Sequence, residues 1–309
     1  MNTPNPRSRK AVATLLAAVI IGPVVGLGPA ATATASSAPD LTAADVRQQE
    51  RTKAVAVHVL KGLFEDGDLS LANRYIRPDY IEHSPSAADG REPLKEFVRA
   101  WVARYPDLKY DVKRVLAEGN MVLVHSNVVA EPGTQGQAVV DIFRFQGGRM
   151  AEHWDVLQDV PETTVSGNDM FSTVSSPRTN RPGTSWATAS NKRLVTAYFD
   201  RLLVAKDPGA VKYLASKHHQ HSPAVPNGSA GLREFVTSFF QKFPELTVER
   251  KRVVAEGDLV AVHSHYRLNP ADRGQSVIDV FRVRNRKIVE HRDVMQGVPE
   301  TSANDNTMF

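Results

Sequence analysis

Two aspartates of this 309-residue chain occur in matching apolar stretches and could act as acid–base groups. Asp141 lies in the run VVDIFRF, and Asp279 lies in VIDVFRV. A carboxylate held against apolar and aromatic walls loses hydration, which raises its pKa toward the range of a general base. Such a group could remove a proton from the carbon next to a carbonyl. The alternative is a structural carboxylate that pairs with a neighbouring arginine.

Two histidines recur in a second motif, His-Ser-Pro. His83 opens the first occurrence and His221 opens the second. An imidazole at this point, after a short second helix, could close the cavity that holds the aspartate. The motif could equally be a capping turn without a chemical role.

Both motifs belong to an internal repeat, in which equivalent positions such as His83 and His221 are 138 residues apart. From His83 to Phe171 the two copies align without a gap. The clearest matching segments are KRV (113–115 and 251–253), AEG (117–119 and 255–257), VPET (160–163 and 298–301) and MF (170–171 and 308–309). The chain therefore contains two copies of one domain.

Apolar spacing predicts the same order of elements in both copies. Residues 56–64 carry apolar side chains on one helical face, and residues 94–102 do so again. In the second copy, Asp207-Pro208 indicates the start of a short helix between the two equivalent helices. Strand-like runs follow at about 108–118, 121–130, 138–146 and 149–158. This order predicts an α+β domain, with about three helices on a curved, mainly antiparallel sheet and room for a ligand between them.

The turn at Gly147-Gly148 predicts which side chains share a face with Asp141. If Gln146 pairs with Arg149, strict alternation places one set of side chains with Asp141 on the inner face. That set is Phe143, Phe145, Met150, Glu152, Trp154 and Gln158. The outer face then carries Arg144, His153 and Asp155, with Arg282, His291 and Asp293 in the second copy. We interpret this outer set as sheet or interface pairs and not as catalysts.

The N-terminal residues are typical of an export signal. Basic residues at 7–10 precede an apolar run from Ala11 to Leu27, and an Ala-x-Ala pattern ends at Ala35. This predicts a signal peptide over 1–35, secretion, and no stable membrane insertion after cleavage. The remaining boundaries are a disordered lead-in at 36–47, domain 1 at 48–171, a linker rich in Ser, Thr, Pro and Arg at 172–187, and domain 2 at 188–309.

Composition excludes several classes of function. The formal charge of +4 falls to about +1 when Arg7, Arg9 and Lys10 are removed with the signal, so a nucleic-acid partner is not expected. The chain contains no cysteine, which excludes disulfides and thiolate chemistry.

Three segments resemble a known family. YIEHSP (80–85), VVDIFRF (139–145) and MAEHWDVLQDVPE (150–162) resemble SnoaL-like proteins of the NTF2-like superfamily, in particular those of the polyketide cyclase and aldol-condensation type. The resemblance covers both copies and implies two tandem NTF2-like cones. It also implies ring closure by aldol condensation without a metal or organic cofactor. The family's catalytic Asp maps onto Asp141 and Asp279.

The resemblance adds a histidine to each candidate site. The family's partner His, on the strand before the Asp, maps onto His125 and His263, which could hydrogen-bond a developing enolate or could be core histidines. The candidate catalytic residues are thus Asp141, His125, His83, Asp279, His263 and His221. The candidate ligand-binding residues are Phe143, Trp154, Gln158 and Trp101 in the first copy, and Phe281, Arg292, Gln296 and His265 in the second. Related single-copy proteins form back-to-back dimers, which implies an intramolecular pseudo-dimer here.

The second copy differs from the first in ways that predict a more polar and cationic pocket. Arg292 replaces Trp154, and His265 replaces Asn127. Its histidines raise the alternative of a divalent metal held by two histidines and Asp279. The candidate imidazoles for that set are His219, His221, His263 and His265. Since no pair has a tight ligand spacing, we predict no metal.

The leading hypothesis is a secreted, cofactor-independent acid–base enzyme that acts on a small hydrophobic carbonyl compound. A secreted module that binds a small molecule without changing it is the alternative, and export favours it because polyketide synthesis usually occurs in the cytoplasm. A third possibility is a pair of structural domains with filled cones.

Overall fold

A computed structural model describes residues 41–173 and 184–309. The expected signal peptide, the first five residues of the lead-in and most of the linker lie outside these described residues. Within the two described ranges, no helix is both long enough and apolar enough to cross a membrane.

Domain 1 contains three helices and a five-stranded sheet. The elements are α1 (Ala43–Phe64), α2 (Ser70–Tyr75), β1 (Ile76–Glu82), α3 (Arg91–Arg104), β2 (Lys109–Glu118), β3 (Met121–Val129), β4 (Gln137–Gln146) and β5 (Arg149–Asp159). The strand order is β1-β5-β4-β3-β2, and only β1 runs parallel to its neighbour. This confirms the predicted α+β class and its mainly antiparallel sheet.

Domain 2 repeats this arrangement. Its elements are α4 (Ser185–Phe199), which continues as a π-helical turn (Asp200–Val204), a 3-10 helix (Pro208–Tyr213), β6 (Leu214–Gln220), α5 (Gly228–Lys242), β7 (Thr247–Glu256), β8 (Leu259–Arg267), β9 (Gln275–Arg284) and β10 (Lys287–Gly297). The strand order β6-β10-β9-β8-β7 matches that of domain 1. The short helix begins as predicted, because the Asp207 side chain accepts a hydrogen bond from the Gly209 amide.

Two features differ from the prediction. The first helix of each domain begins earlier, inside the expected lead-in and linker, because Thr42 and Thr184 cap it. The edge strands β1 and β6 were not predicted. Pro78 and its charged neighbours argue against a strand, but an edge position tolerates proline since one side of the strand needs no hydrogen bonds.

The helices bury their apolar face against the concave side of each sheet. In domain 1, Val59, Leu60 and Leu63 of α1 and Val98 of α3 are buried in one cluster with strand residues such as Phe143. Such a face of four buried aliphatic side chains contributes roughly 6–12 kcal/mol before conformational entropy is subtracted. This packing fixes the distance between α1 and the strand that carries Asp141.

A β-bulge in β5 corrects the predicted register of the hairpin. Gln146 pairs with Arg149 as predicted, but Arg144 already pairs with Glu152. Ala151 is the extra residue on β5. One extra residue inverts the direction of every side chain that follows it, because side chains alternate with a period of two.

The bulge therefore exchanges the faces that the sequence predicted for β5. Asp141 lies opposite Asp155, and Phe143 lies opposite His153. Asp155 and His153 therefore point to the inner face. Trp154 moves to the outer face, opposite Ile142. An equivalent irregularity separates Ile288 from Glu290 in β10 and exchanges the faces there as well.

The outer faces of the two sheets share one buried apolar cluster. Its members are Leu116, Leu123, Ala138, Val140, Ile142, Trp154, Val156 and Met170 from domain 1, and Val254, Leu259, Ala261, Ile278, Val280 and Val294 from domain 2. Reciprocal hydrogen bonds border the cluster: Glu118 accepts from the Ala255 amide at 2.9 Å, and Glu256 accepts from the Ala117 amide at 2.7 Å. The two domains thus bury a common core between their sheets.

Candidate active site

A cavity lies between the helices and the sheet of domain 1. Its walls are apolar over most of their extent and become polar at one end. The apolar and aromatic walls include Val59, Leu60, Leu63, Phe64, Tyr80, Phe97, Trp101, Tyr110, Val139 and Phe143. The polar end consists of Glu82, Ser84, Asp141, His153 and Asp155. A cavity of this kind suits a small apolar molecule that carries one or two polar groups.

The imidazole of His153 bridges two buried carboxylates at the polar end. Its Nδ1 lies 2.8 Å from Glu82 Oε1, and its Nε2 lies 3.1 Å from Asp141 Oδ1. The ring stacks on Phe143, with 4.7 Å between the ring centroids. Both neighbours of His153 are acceptors, so the ring is held as an imidazolium that donates at both nitrogens.

Burial and neighbouring charges raise the pKa values of Asp141, His153 and Asp155. Loss of hydration raises the pKa of Asp141, although the hydrogen bond from His153 acts against this rise. Burial would lower the pKa of His153, but the carboxylates of Glu82 and Asp141 outweigh it and raise that pKa well above its usual value. Burial also raises the pKa of Asp155 to about 7, with a further contribution from Glu82 and Asp141. At pH 7 the carboxyl of Asp155 is therefore partly protonated and can supply a proton to the site.

Asp141 keeps one oxygen free for a ligand. The residue is 3% exposed, and Oδ2 has no hydrogen-bond partner among the described residues. An unpaired buried oxygen is costly unless water or a ligand reaches it. No arginine pairs with Asp141 in the described parts of the chain, contrary to the structural alternative.

Only part of the predicted site of domain 1 surrounds the cavity. Asp141, Phe143 and Trp101 line it. His125 lies opposite Val140 of β4, and its side chain points to the other side of the sheet. There it contacts the Arg114 guanidinium and the Phe171 ring. The prediction that His125 is the partner of Asp141 is wrong, because the parity of β3 places Val124 beside that aspartate.

His83 lies outside the cavity as well. Its Nε2 is 2.9 Å from Glu152 Oε1, its Nδ1 is 2.6 Å from the carbonyl oxygen of Thr307, and its ring stacks on Trp154. Arg144 donates to the second oxygen of Glu152 at 2.5 Å. These groups form a cluster at the domain interface.

Trp154 and Gln158 face domain 2, contrary to the prediction. The Arg252 guanidinium lies 3.9 Å from the centre of the Trp154 ring. Gln158 Oε1 accepts from the Met295 amide at 2.9 Å, and Gln296 Oε1 accepts from the Leu157 amide at 3.0 Å. The bulge is the physical reason for both changes, because it reverses the direction of every later side chain of β5. The two glutamines join β5 and β10 across the interface.

The sequence-based prediction missed Glu82, His153 and Asp155. His153 and Asp155 were assigned to the outer face because the bulge was not recognised, and Glu82 was not placed because β1 was not predicted. A signal was present in the sequence: Glu-His-x-Asp recurs at residues 152–155 and 290–293, with the same alternation in both copies.

The equivalent site in domain 2 differs in the partners of its histidine and its aspartate. His291 lies 2.8 Å from Asp279 Oδ1, but Gln220 takes the place of Glu82 at its other nitrogen, also at 2.8 Å. The Tyr266 hydroxyl donates to Asp279 Oδ2 at 3.4 Å, so the oxygen that is free in domain 1 has a partner here. Burial raises the pKa of Asp293 to about 6.

The other residues predicted for domain 2 do not gather around Asp279. His263 contacts Arg252 and the Ser276 hydroxyl on the outer face. His265 contacts the Arg273 carbonyl and stacks on the C-terminal Phe309. Neither histidine therefore adds positive charge to the site around Asp279.

Arg292 and His221 are also directed away from the cone of domain 2. Both contact Glu290, which is fully buried at the interface, at 3.2 and 2.9 Å. Phe281 does lie in the core of the cone, where it stacks on His291.

The metal alternative that was considered for domain 2 is not assembled from the expected residues. Among the described residues, Asp279, His291 and Asp293 are the group whose ligand atoms lie within 4.8 Å of one another. None of the four histidines considered for that set belongs to this group, since β8 directs His263 to the opposite side of the sheet.

Several solved structures resemble single domains of this chain. A candidate polyketide cyclase from Acidithiobacillus ferrooxidans is 22% identical, with 35% of this chain and 88% of that protein covered and a TM-score of 0.31. TsrD from Streptomyces laurentii is 22% identical, with coverages of 38% and 91% and a TM-score of 0.30. A candidate ketosteroid isomerase from Kribbella flavida is 19% identical, with coverages of 37% and 82% and a TM-score of 0.32. A search of curated proteins found no match.

The sequence profile of the SnoaL-like domain matches the chain twice, over residues 56–153 and 195–291. These matches together cover more than half of the chain, and each extends from the first helix of a domain to the histidine of its last strand. They confirm the resemblance predicted from the sequence motifs and the two tandem NTF2-like domains. The chain therefore belongs to the SnoaL-like domain family.

Proposed function

We propose that domain 1 is a cofactor-independent acid–base catalyst for a small hydrophobic carbonyl compound, with aldol or cyclase-type chemistry. The observation that carries this proposal is the free Oδ2 of Asp141 in an apolar cavity, next to a second carboxyl whose pKa is about 7. Two titratable groups whose environments separate their protonation states supply a base and an acid at one pH.

Each residue of the polar end has a separate role in the proposed reaction. Asp141 Oδ2 takes a proton from the carbon next to the carbonyl, so that the C–H bond breaks and an O–H bond forms on the carboxyl. The protonated Asp155 donates its proton to the carbonyl oxygen, which yields an enol and leaves Asp155 ionised. His153 is a positioning residue that holds Asp141 through Nε2 and is itself held by Glu82. The nucleophilic enol carbon then attacks the carbon of a second carbonyl, so that the new C–C bond forms as the C=O π bond of that carbonyl breaks. The enol hydroxyl returns its proton to Asp155, and the carboxyl of Asp141 gives its proton to the oxygen of the second carbonyl.

The walls of the cavity define the substrate class. Phe64, Phe97 and Trp101 from the helices and Tyr110 from β2 present aromatic surface to the ligand. Burial of such surface favours a molecule with a ring or a short apolar chain, at about 25 cal/mol per Å². The substrate that we propose is therefore apolar and carries its carbonyl at the end that meets Asp141.

Proton exchange tests the proposal without knowledge of the natural substrate. We expect the purified protein to accelerate the exchange of α-protons of small cyclic and aromatic ketones in D₂O, measured by ¹H NMR. A catalytic site exchanges these protons even when no C–C bond can form. Ketones that bind, shown by saturation-transfer NMR, but keep their α-protons at the buffer rate would instead support the non-catalytic binding module.

The pKa of Asp155 makes both activity and stability depend on pH. A folded-state pKa of about 7, against 3.8 in the unfolded chain, means that the folded protein binds this proton more tightly. Stability is therefore lost as pH rises from about 4 to 7. The full shift corresponds to about 4 kcal/mol. Because Asp155 is partly exposed, we expect Asp155→Asn to recover about 1–3 kcal/mol at pH 8 and nothing near pH 4.

Denaturant titrations at the two pH values measure this difference. Asp293→Asn is the matched control in domain 2, and its gain should be complete by about pH 6 because the pKa of Asp293 is lower. In the exchange assay the wild-type rate should fall above pH 7, and the asparagine variant should lack this fall. Equal stability changes at pH 4 and pH 8 contradict the assignment of the raised pKa to Asp155.

We further propose that residues 1–35 direct export and are removed. The basic start, the apolar run and the Ala-x-Ala pattern support this proposal. Expression in a bacterial host that exports the chain should yield a mature N terminus near Ser36, measured by intact-mass spectrometry. A full-length protein retained in the cytoplasm contradicts it.

A further inference from the structure

The last residues of the chain leave domain 2 and contact the rim of the domain 1 cavity. We refer to residues 298–309 as the C-terminal tail and to residues 82–89 as the mouth loop. Four side chains of the mouth loop line the cavity: Glu82, Ser84, Ser86 and Ala87. Contacts between the tail and this loop therefore act directly on the wall of the candidate active site.

Asn304 of the tail is hydrogen-bonded to the centre of the mouth loop. Its Nδ2 donates to the carbonyl oxygens of Ser84 at 2.7 Å and Ala87 at 2.8 Å. The Ala303 amide donates to the Pro85 carbonyl at 2.9 Å. These bonds satisfy backbone groups of the loop that no strand or helix pairs.

Asn306 of the tail is hydrogen-bonded to Glu82, the residue that orients His153. Its Nδ2 donates to the Glu82 carbonyl at 2.9 Å and to Asp89 Oδ1 at 2.8 Å. The same oxygen of Asp89 accepts the Glu82 amide at 2.7 Å. Both backbone groups of Glu82 are thus fixed, directly or through Asp89, by one side chain from the other domain.

Domain 1 makes the reciprocal contact on domain 2. Asn168, which is the repeat equivalent of Asn306, donates to the Gln220 carbonyl and to Asn227 Oδ1, each at 2.9 Å. The Val165 amide donates to the Pro223 carbonyl at 2.9 Å. Each domain therefore contacts the loop that follows the edge strand of the other domain. The contact made by Asn168 is thus a matched control for the contact made by Asn306.

We propose that the cavity of domain 1 is a composite site, in which the C-terminal tail of domain 2 positions Glu82 and thereby His153. Domain 2, in which Tyr266 donates to the equivalent aspartate, contributes to the site of domain 1 through this tail. The proposal deepens the proposed function, since Asn306 becomes a positioning residue for the acid–base cluster. The structural part of the proposal holds whether or not domain 1 catalyses proton exchange.

Most of the hydrogen bonds that the mouth loop makes within domain 1 are short-range. The Glu82 amide donates to Asp89 Oδ1 at 2.7 Å, the Ser84 amide donates to Glu82 Oε1 at 2.9 Å, and the Ala87 amide donates to the Ser84 carbonyl at 3.3 Å. The His83 amide joins the loop to β5 by donating to the His153 carbonyl at 2.9 Å. Segments with few protected hydrogen bonds open locally at low free-energy cost. Removal of the tail contacts should therefore loosen this loop without unfolding the domain.

Hydrogen–deuterium exchange of the ligand-free, full-length protein tests the contact. In Asn306→Ala we expect amide exchange over 82–89 to accelerate by about thirtyfold, since two hydrogen bonds of about 1 kcal/mol each are lost and about 1.4 kcal/mol corresponds to a factor of ten. Exchange over 220–227 should stay at the wild-type rate. Asn168→Ala should give the opposite pattern. If Asn306→Ala does not fold, Asn304→Ala should still accelerate exchange over 84–87 alone.

A second measurement separates positioning from simple support. The pKa of His153, followed by NMR, should fall in Asn306→Ala, because a mobile Glu82 no longer stabilises the imidazolium, and should be unchanged in Asn168→Ala. Where the wild type exchanges α-protons, Asn306→Ala should lower kcat more than it raises KM. Unchanged amide exchange over 82–89, equal loosening of both loops in both variants, or a constant pKa of His153 overturns the proposal.

Discussion

Replacement of Asp141 by Asn should lower the rate of α-proton exchange by about 10²–10⁴, the range that a general base contributes. The amide oxygen can still accept the hydrogen bond from His153 Nε2, so the fold and the ligand cavity should persist. The amide cannot take a proton, however, and the free oxygen of Asp141 is the one that faces the ligand. Initial rates with a ketone that the wild type exchanges measure the loss.

Asp279→Asn is the matched control for this substitution. Asp279 occupies the equivalent strand position, but both of its oxygens have partners, His291 and Tyr266. We therefore expect this variant to keep the wild-type exchange rate. Equal losses in both variants would mean that both cones are active. A wild-type rate in Asp141→Asn, with ketone binding intact, removes Asp141 from the mechanism.

Replacement of Glu290 by Gln should have the largest effect on stability. Glu290 is fully buried at the interface and contacts His221 at 2.9 Å, Arg282 at 3.1 Å and Arg292 at 3.2 Å. A glutamine leaves the buried Arg292 guanidinium without a carboxylate partner among the described residues, whereas Arg282 keeps its ion pair with Asp258. Removal of one partner of a buried charge pair costs about 3–5 kcal/mol, because the remaining charge cannot be hydrated. Chemical denaturation and calorimetry of the full chain measure the change.

Glu152→Gln provides the comparison in domain 1. Glu152 is the repeat equivalent of Glu290, but its side chain is 17% exposed, as is part of its partner Arg144. Water therefore replaces much of the lost interaction, and we expect a cost of about 1 kcal/mol or less. Similar costs for the two substitutions would show that the interface around Glu290 is hydrated, contrary to the structure.

The repeat and the helices could be predicted from sequence because they depend on local patterns. The helical spacing of residues 56–64 and 94–102 places the same side chains in the core that the structure buries there. The four antiparallel strands of each copy follow from alternating apolar positions between glycine turns. The inner position of Asp141 also follows from alternation, since β4 contains no extra residue.

The edge strand and the bulge could not be predicted in this way. Pro78 obscures β1, which forms only because β5 lies beside it as a partner. The bulge at Ala151 moved His153 and Asp155 from the predicted outer face to the inner face. The predicted direction of His125 failed for a related reason, because the parity of β3 depends on its pairing with β4.

The amino-acid sequence by itself determined the duplication, the α+β class, the family and the apolar strand context of Asp141, since each of these is written in residue types and their spacing along the chain. Only the tertiary structure decided which groups surround Asp141, that the tail of domain 2 binds the mouth loop of domain 1, and that Tyr266 donates to Asp279 in the second cone. Those arrangements depend on contacts between residues far apart in the chain. A one-residue change in register reverses them without any change in the local pattern.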